Sequence, residues 1–207
     1  MLPLSPIAPI SVLLIAGAYL IGSLSGARLL RALAGRLPAA EASGESHWFT
    51  AVRVAFDLAK GAIAVWLALR HAPVGDAISV TAHGYVAAFA TLAGHVWPLW
   101  HRFRGGGGTA ALAGSLLVLW PVAAIVWLMA GLLVWWRSAH AGLAVAAGAL
   151  VLPLLAWWTA AEPPRLWFAL ASTTLLLLAH RENLRRLWTG TEPRFAQARR
   201  LHRWRRR

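Results

Sequence analysis

The sequence predicts an all-α membrane protein of about seven transmembrane helices, with its N-terminus outside and its C-terminus in the cytoplasm. Three observations carry this reading. Hydrophobic residues make up 59% of the 207-residue chain and charged residues 13%, at a mean hydropathy of +0.60, a balance that ordinary soluble domains do not show. The apolar residues gather into segments near the ~20 residues that a spanning helix needs. Once those segments are counted as spans, nearly all the arginines fall on one side.

The first apolar segment, 7–27, has no basic stretch before it and runs longer than the apolar region of a signal peptide, so it is expected to be a span. The second, 52–69, carries Arg53, Asp57 and Lys60, and the third, 78–98, ends at Pro98. The fourth, 109–136, is too long for a comfortable single helix, and Pro121 sits where a turn between two short helices is expected. Charge decides between one helix and two. With two, Arg28, Arg31, Arg36, Arg102, Arg104, Arg137 and the tail from Arg181 all share the cytoplasmic side, leaving Arg70 and Arg165 opposite. With one, Arg137 and the tail move to the face away from the first loops, against the positive-inside rule. Segments 139–158 and 165–180 complete the set.

Residues 1–180 therefore read as one transmembrane helical domain and 181–207 as a basic cytoplasmic tail, which contributes much of the net charge of +13. The tail directly follows a span and interleaves tryptophan with arginine, so anionic membrane lipids are its expected partner and nucleic acid is not. The 13 tryptophans suit an interfacial aromatic belt. The lack of cysteine excludes disulfides, zinc thiolates and thiol nucleophiles. No metal-ligand spacing or cofactor motif is present, and no cofactor is expected.

Between the spans, WHRFRGGGGTA at 100–110 sets Gly105, Gly106, Gly107 and Gly108 behind Arg102 and Arg104. Glycine reaches positive φ freely, so such a run can curl its N–H groups around an anion at the start of the next helix, making these six residues a candidate phosphate site. His95, one turn before the loop, is either a packing residue or a member of that site. Asp57 and Lys60 lie three apart on one helical face, as a charge pair that either secures packing or serves a site. Arg53, one turn earlier, either snorkels to the surface or binds an anion. His180 and Asn183 are helical neighbours where the last span meets the cytoplasm, as a cap or as a functional pair. His71 and Asp76, separated by four residues, superficially match the dyad of soluble-type glycerolipid acyltransferases, but they fall in the short outer loop and are set aside.

AYLIGSLSG at 18–26, SG at 43–44, DLAKG at 57–61, GHVWPLWHRFRGGGGTAALAG at 94–114 and HRENLRRLWTGTE at 180–192 together resemble the bacterial acyl-phosphate:glycerol-3-phosphate acyltransferase family. Its members are small seven-span enzymes of phospholipid biosynthesis in the cell membrane that make lysophosphatidate. The resemblance implies acyl phosphate and glycerol 3-phosphate as substrates. It implies Ser43 and Arg53 in the first polar loop, phosphate binding at the glycine loop, and His180 and Asn183 completing the catalytic set.

The chain departs from the family at three places. Where the first loop of the family reads Gly-Ser-Gly-Asn-Ile-Gly-Ala-Thr-Asn, residues Ala42–Thr50 differ and Glu45 takes an asparagine position. Gly107 stands where the family has lysine, and Ala139, His140, Ala141 and Gly142 replace the serines after Arg137. An inactive relative that binds lipid phosphate or a membrane partner is the competing reading. A transporter is disfavoured, since no inverted repeat is visible.

Overall fold

A computed structural model describes residues 7–34 and 47–193. All regular structure among them is helical: α1 (Pro9–Ser23), α2 (Gly26–Ala34), α3 (His47–His71), α4 (Val80–Val96), a 3-10 turn (Leu99–His101), α5 (Thr109–Leu119), α6 (Pro121–Ser138), α7 (Ala141–Trp158), α8 (Pro163–Ala179) and α9 (Arg181–Trp188). Two of these, α6 and α7, are long and apolar enough on their own to cross a membrane, while α1 and α5 are apolar but shorter. Chain contacts divide the protein into two compact units, up to Leu119 and from Trp120 on.

In the first unit α1 packs on α4 and α3 on α5. Both contacts are seams of small residues that let backbones touch. A side chain at Gly22 would collide with the Thr91 carbonyl, and one at Gly94 with the Tyr19 carbonyl, so each helix supplies the other's gap. Gly61 and Gly114 do the same for α3 and α5, against Ala111 and Leu58. The buried hydroxyls in these seams bond to backbone: Thr91 Oγ1 donates to the Ala87 carbonyl at 2.8 Å and Ser115 Oγ to Ala111 at 3.1 Å.

The predicted first span, 7–27, is shorter than expected. α1 stops at Ser23, the chain is extended at Leu24, and an amphipathic helix restarts at Gly26. Lys60 explains the break, because its ammonium donates to the liberated carbonyls: Nζ to Gly22 O at 3.0 Å and to Leu24 O at 2.8 Å. It also pairs with Asp57 Oδ1 at 3.0 Å. At its other end α1 has no cap of its own, and Asp76 supplies one from the loop before α4. The Asp76 carboxylate accepts the Ala8 N–H at 3.0 Å and the Ser11 hydroxyl, and lies 3.4 Å from His83 Nε2. His83 Nε2 in turn sits 2.7 Å from Ser11 Oγ, so the loop, α1 and α4 are clasped together.

The expected turn at Pro121 is present. α5 ends at Leu119, Trp120 is non-helical, and Pro121 opens α6 at a first-turn position where its missing N–H costs nothing. In the second unit α7 packs on α6 and α8 around Leu152, Leu176, Ala149 and Ala169, all fully buried. The outward face of α6 is apolar instead: Val122, Ile125, Met129 and Leu133 are exposed, and 17% of the helix is buried. An apolar exterior of this extent suits a hydrocarbon solvent rather than water.

Candidate active site

The break between α1 and α2 opens one wall of a cavity of about 230 Å³. Gly22 to Arg28 form that wall, Arg53 and Asp57 of α3 a second, and His95, Pro98, His101, Arg104, Gly105 and Gly106 the remainder. Among the described residues, three arginines thus face a space whose lining contains a single acid, and that acid is already paired with Lys60. His95 Nδ1 stands 3.6 Å from the same Asp57 oxygen. The lining is strongly cationic, which suits a group carrying more than one negative charge.

The glycine loop is built for a different reason than its sequence suggests. Gly105 N–H donates to Val96 O and Gly106 N–H to His95 O, both at 3.1 Å, so two of the four glycine amides satisfy the open carbonyls at the end of α4. Side chains at these positions could not lie so close: a Cβ at Gly105 would strike the His95 carbonyl, and one at Gly106 the imidazole. Their glycine character serves close approach, and only Gly108 takes a positive φ, 78°, as the chain turns into α5. Gly107 and Gly108 are not part of the cavity lining. The left-handed residues before the glycines are instead Arg102 and Phe103, at φ 53° and 58°. This sharp turn leaves Arg102 outside the lining and puts Arg104 into it.

The structure therefore brings together Arg53, Asp57, His95, Arg104, Gly105 and Gly106 in the first unit. Lys60 is not part of the lining and bonds the carbonyls that end α1. Ser43 and the substituted first loop around Glu45 lie outside the described residues. Sequence reasoning missed the elbow Gly22–Gly26, Arg28 and His101. A run of glycine and serine closing an apolar span is the signal that could have found the elbow, since neither residue favours a helix interior.

His180 and Asn183 belong to the second unit, at the joint between α8 and α9. His180 Nδ1 lies 3.0 Å from Leu176 O in the last turn of α8. Asn183 Oδ1 accepts from Arg186 at 3.1 Å, and the asparagine packs against Gly142 at the start of α7. Glu192 closes this corner: its Oε1 accepts the Gly142 N–H at 2.8 Å, and the residue is 8% exposed. The first residues of the predicted basic tail are thus folded onto α7 and α8, while the arginines from Arg194 on lie outside the described residues.

The family model described as Glycerol-3-phosphate acyltransferase matches residues 12–190, which include both clusters. The chain belongs to this family. A glycerol-3-phosphate acyltransferase of Pseudomonas syringae pv. tomato is 40% identical over 190 residues, covering 86% of this chain and 94% of the relative. That of Chromohalobacter salexigens is 34% identical over 196 residues, covering 89% and 91%. Among solved structures, the crystal structure of PlsY (YgiH), an integral membrane glycerol 3-phosphate acyltransferase, in its glycerol 3-phosphate form superimposes with a TM-score of 0.77 at 23% identity, covering 93% of this chain and 98% of that one. Its lysophosphatidic acid form gives 0.76 at the same identity, covering 90% and 96%. The fold is shared along nearly the whole chain.

Proposed function

We propose that the first unit's cavity binds substrate phosphate while an acyl group passes from an acyl phosphate to the 1-hydroxyl of glycerol 3-phosphate. Acyl transfer to glycerol 3-phosphate, giving lysophosphatidate, follows from family membership. The observation that carries the residue-level reading is the convergence of Arg28, Arg53 and Arg104 on a cavity whose one carboxylate among the described residues is neutralised internally. A volume of about 230 Å³ is below the ~300–1,000 Å³ of sites for drug-sized ligands. It suits a small phosphate ester and leaves a long acyl chain to lie outside, in lipid.

In the reaction, the glycerol hydroxyl attacks the acyl carbon, the bond from that carbon to the oxygen bridging it to phosphorus breaks, phosphate leaves with the bridging oxygen, and the hydroxyl proton passes to phosphate or to water. The arginines orient the phosphates and stabilise the charge that develops on the leaving group. His180 and Asn183, with Ser43 of the first polar loop, are assigned to the same reaction through the motifs they share with the family. Seven spans are supported by seven apolar helices in order, α1 and α3 to α8, with the N-terminus outside and the arginine-rich tail on anionic lipid at the cytoplasmic face of a bacterial inner membrane.

The test is a purified-protein assay that offers radiolabelled glycerol 3-phosphate with acyl phosphate, acyl-carrier protein or acyl-CoA as donor. Label should enter lysophosphatidate with acyl phosphate. Phosphate binding without transfer from any donor would instead make the chain an inactive relative, the alternative that Gly107 in the lysine position keeps in view.

A further inference from the structure

His101 closes the 3-10 turn after Pro98 and walls the cavity beside Arg104. Its backbone is fully employed: the N–H donates to Pro98 O at 3.2 Å and the carbonyl accepts from Arg104 N–H at 3.1 Å. Its imidazole is not. Both ring nitrogens are shut off from solvent without a hydrogen-bond partner. Buried polar atoms in native proteins are nearly always paired, and those that are not call for a specific explanation. A leucine would fill a comparable volume without burying two unsatisfied nitrogens, so packing alone does not account for a histidine here.

The surroundings define what completes the ring. Arg28 approaches from α2, Arg53 from α3 and Arg104 from the glycine loop, Asp57 of α3 is held by Lys60, and His95 of α4 lies beside that carboxylate. A group accepting hydrogen bonds from several of these cations must be an anion with several oxygens. We infer that His101 is a phosphate-contacting residue, donating a ring N–H to the phosphate of glycerol 3-phosphate or of the acyl donor. The contact requires a change of side-chain torsion that turns a ring nitrogen from its shielded position toward the cavity. The inference rests on the phosphate-binding reading of the cavity.

The experiment compares the full-length protein with its His101→Leu and His101→Gln variants. For each, the KM for glycerol 3-phosphate and for acyl phosphate are measured separately, together with kcat and the melting temperature without substrate. His101→Leu should raise the KM for one of the two substrates by about tenfold while changing kcat by less than about threefold. The substrate affected identifies whose phosphate the ring contacts. The melting temperature should hold or rise, because the substitution removes unsatisfied buried nitrogens. His101→Gln, which keeps an N–H donor, should recover most of the lost affinity. Unchanged KM values for both substrates in His101→Leu would overturn the inference, as would a fall in melting temperature accompanied by equal losses in both variants, the mark of a packing residue. A parent protein that neither turns over nor binds either substrate, by calorimetry with glycerol 3-phosphate and inorganic phosphate, would overturn the phosphate-binding reading itself.

Discussion

His180 commits its Nδ1 to the helix it ends. His180→Ala and Asn183→Ala should each lower kcat by tenfold or more, at least about 1.4 kcal/mol of transition-state stabilisation, with membrane insertion intact. Unchanged turnover in both would return them to capping. Gly107 poses the opposite question, since it lies beside the cavity's lining and lacks the charge that the family places there. If Arg104 already provides that charge, Arg104→Ala should cost about tenfold in kcat/KM while Gly107→Lys adds little. A salt-sensitive gain from Gly107→Lys would show that the site is short of one cation. Lys60 offers a contrast, since it lies outside the lining and bonds backbone and Asp57. Exchanging it for methionine strands two carbonyls and a buried carboxylate, and breaking a buried pair in this way costs about 3–5 kcal/mol. Lys60→Met should therefore lower the melting temperature sharply, whereas Lys60→Met combined with Asp57→Leu should recover part of the loss.

At the scale of elements, α1 is an apolar helix held by polar groups at both ends, and neither clamp lies within its own sequence. The Ser11 hydroxyl holds the Asp76 carboxyl below its usual value of 3.8; burial opposes this, and the amides of Ala8 and Ala77 and the nearby His83 act in the same direction as Ser11. A carboxylate with a depressed folded-state pKa contributes stability above its unfolded value, and that contribution is lost as pH falls through the folded value. The melting temperature of Asp76→Asn should thus lie below the parent's at neutral pH, and the gap should close on acidification below about pH 4. A constant gap would assign the clasp to shape rather than charge.

The same helix shows what the sequence could reveal. Hydropathy located the apolar segments and proline chemistry the helix break at Pro121, because both are written locally. The ends were not legible, since α1 is terminated by a lysine 36 residues beyond Leu24. Nor was the histidine partner of Asp76: local spacing offered His71, which is exposed, whereas the fold supplies His83. In the same way, Gly105 and Gly106 looked like anion ligands because their role in sealing the end of α4 is a tertiary fact.

For the whole molecule, the expected topology is odd-numbered, and reporter fusions at the two termini should report opposite sides of the membrane. Both ends on one side would require an even number of spans. Lys60 bears on how that topology arises. A lysine near the middle of a lone hydrophobic segment raises its insertion free energy by about 2.5–3.5 kcal/mol, and Asp57 adds a second charge one turn away. As the chain is synthesised, however, α1 emerges before α3, and the carbonyls of Gly22 and Leu24 are present when the ammonium arrives. We therefore expect α3 to insert together with α1, whose carbonyls lower the barrier that α3 would meet alone. A fusion carrying α3 alone should be retained in the bilayer poorly, and restoring residues 1–46 ahead of it should rescue retention without any change in α3 itself.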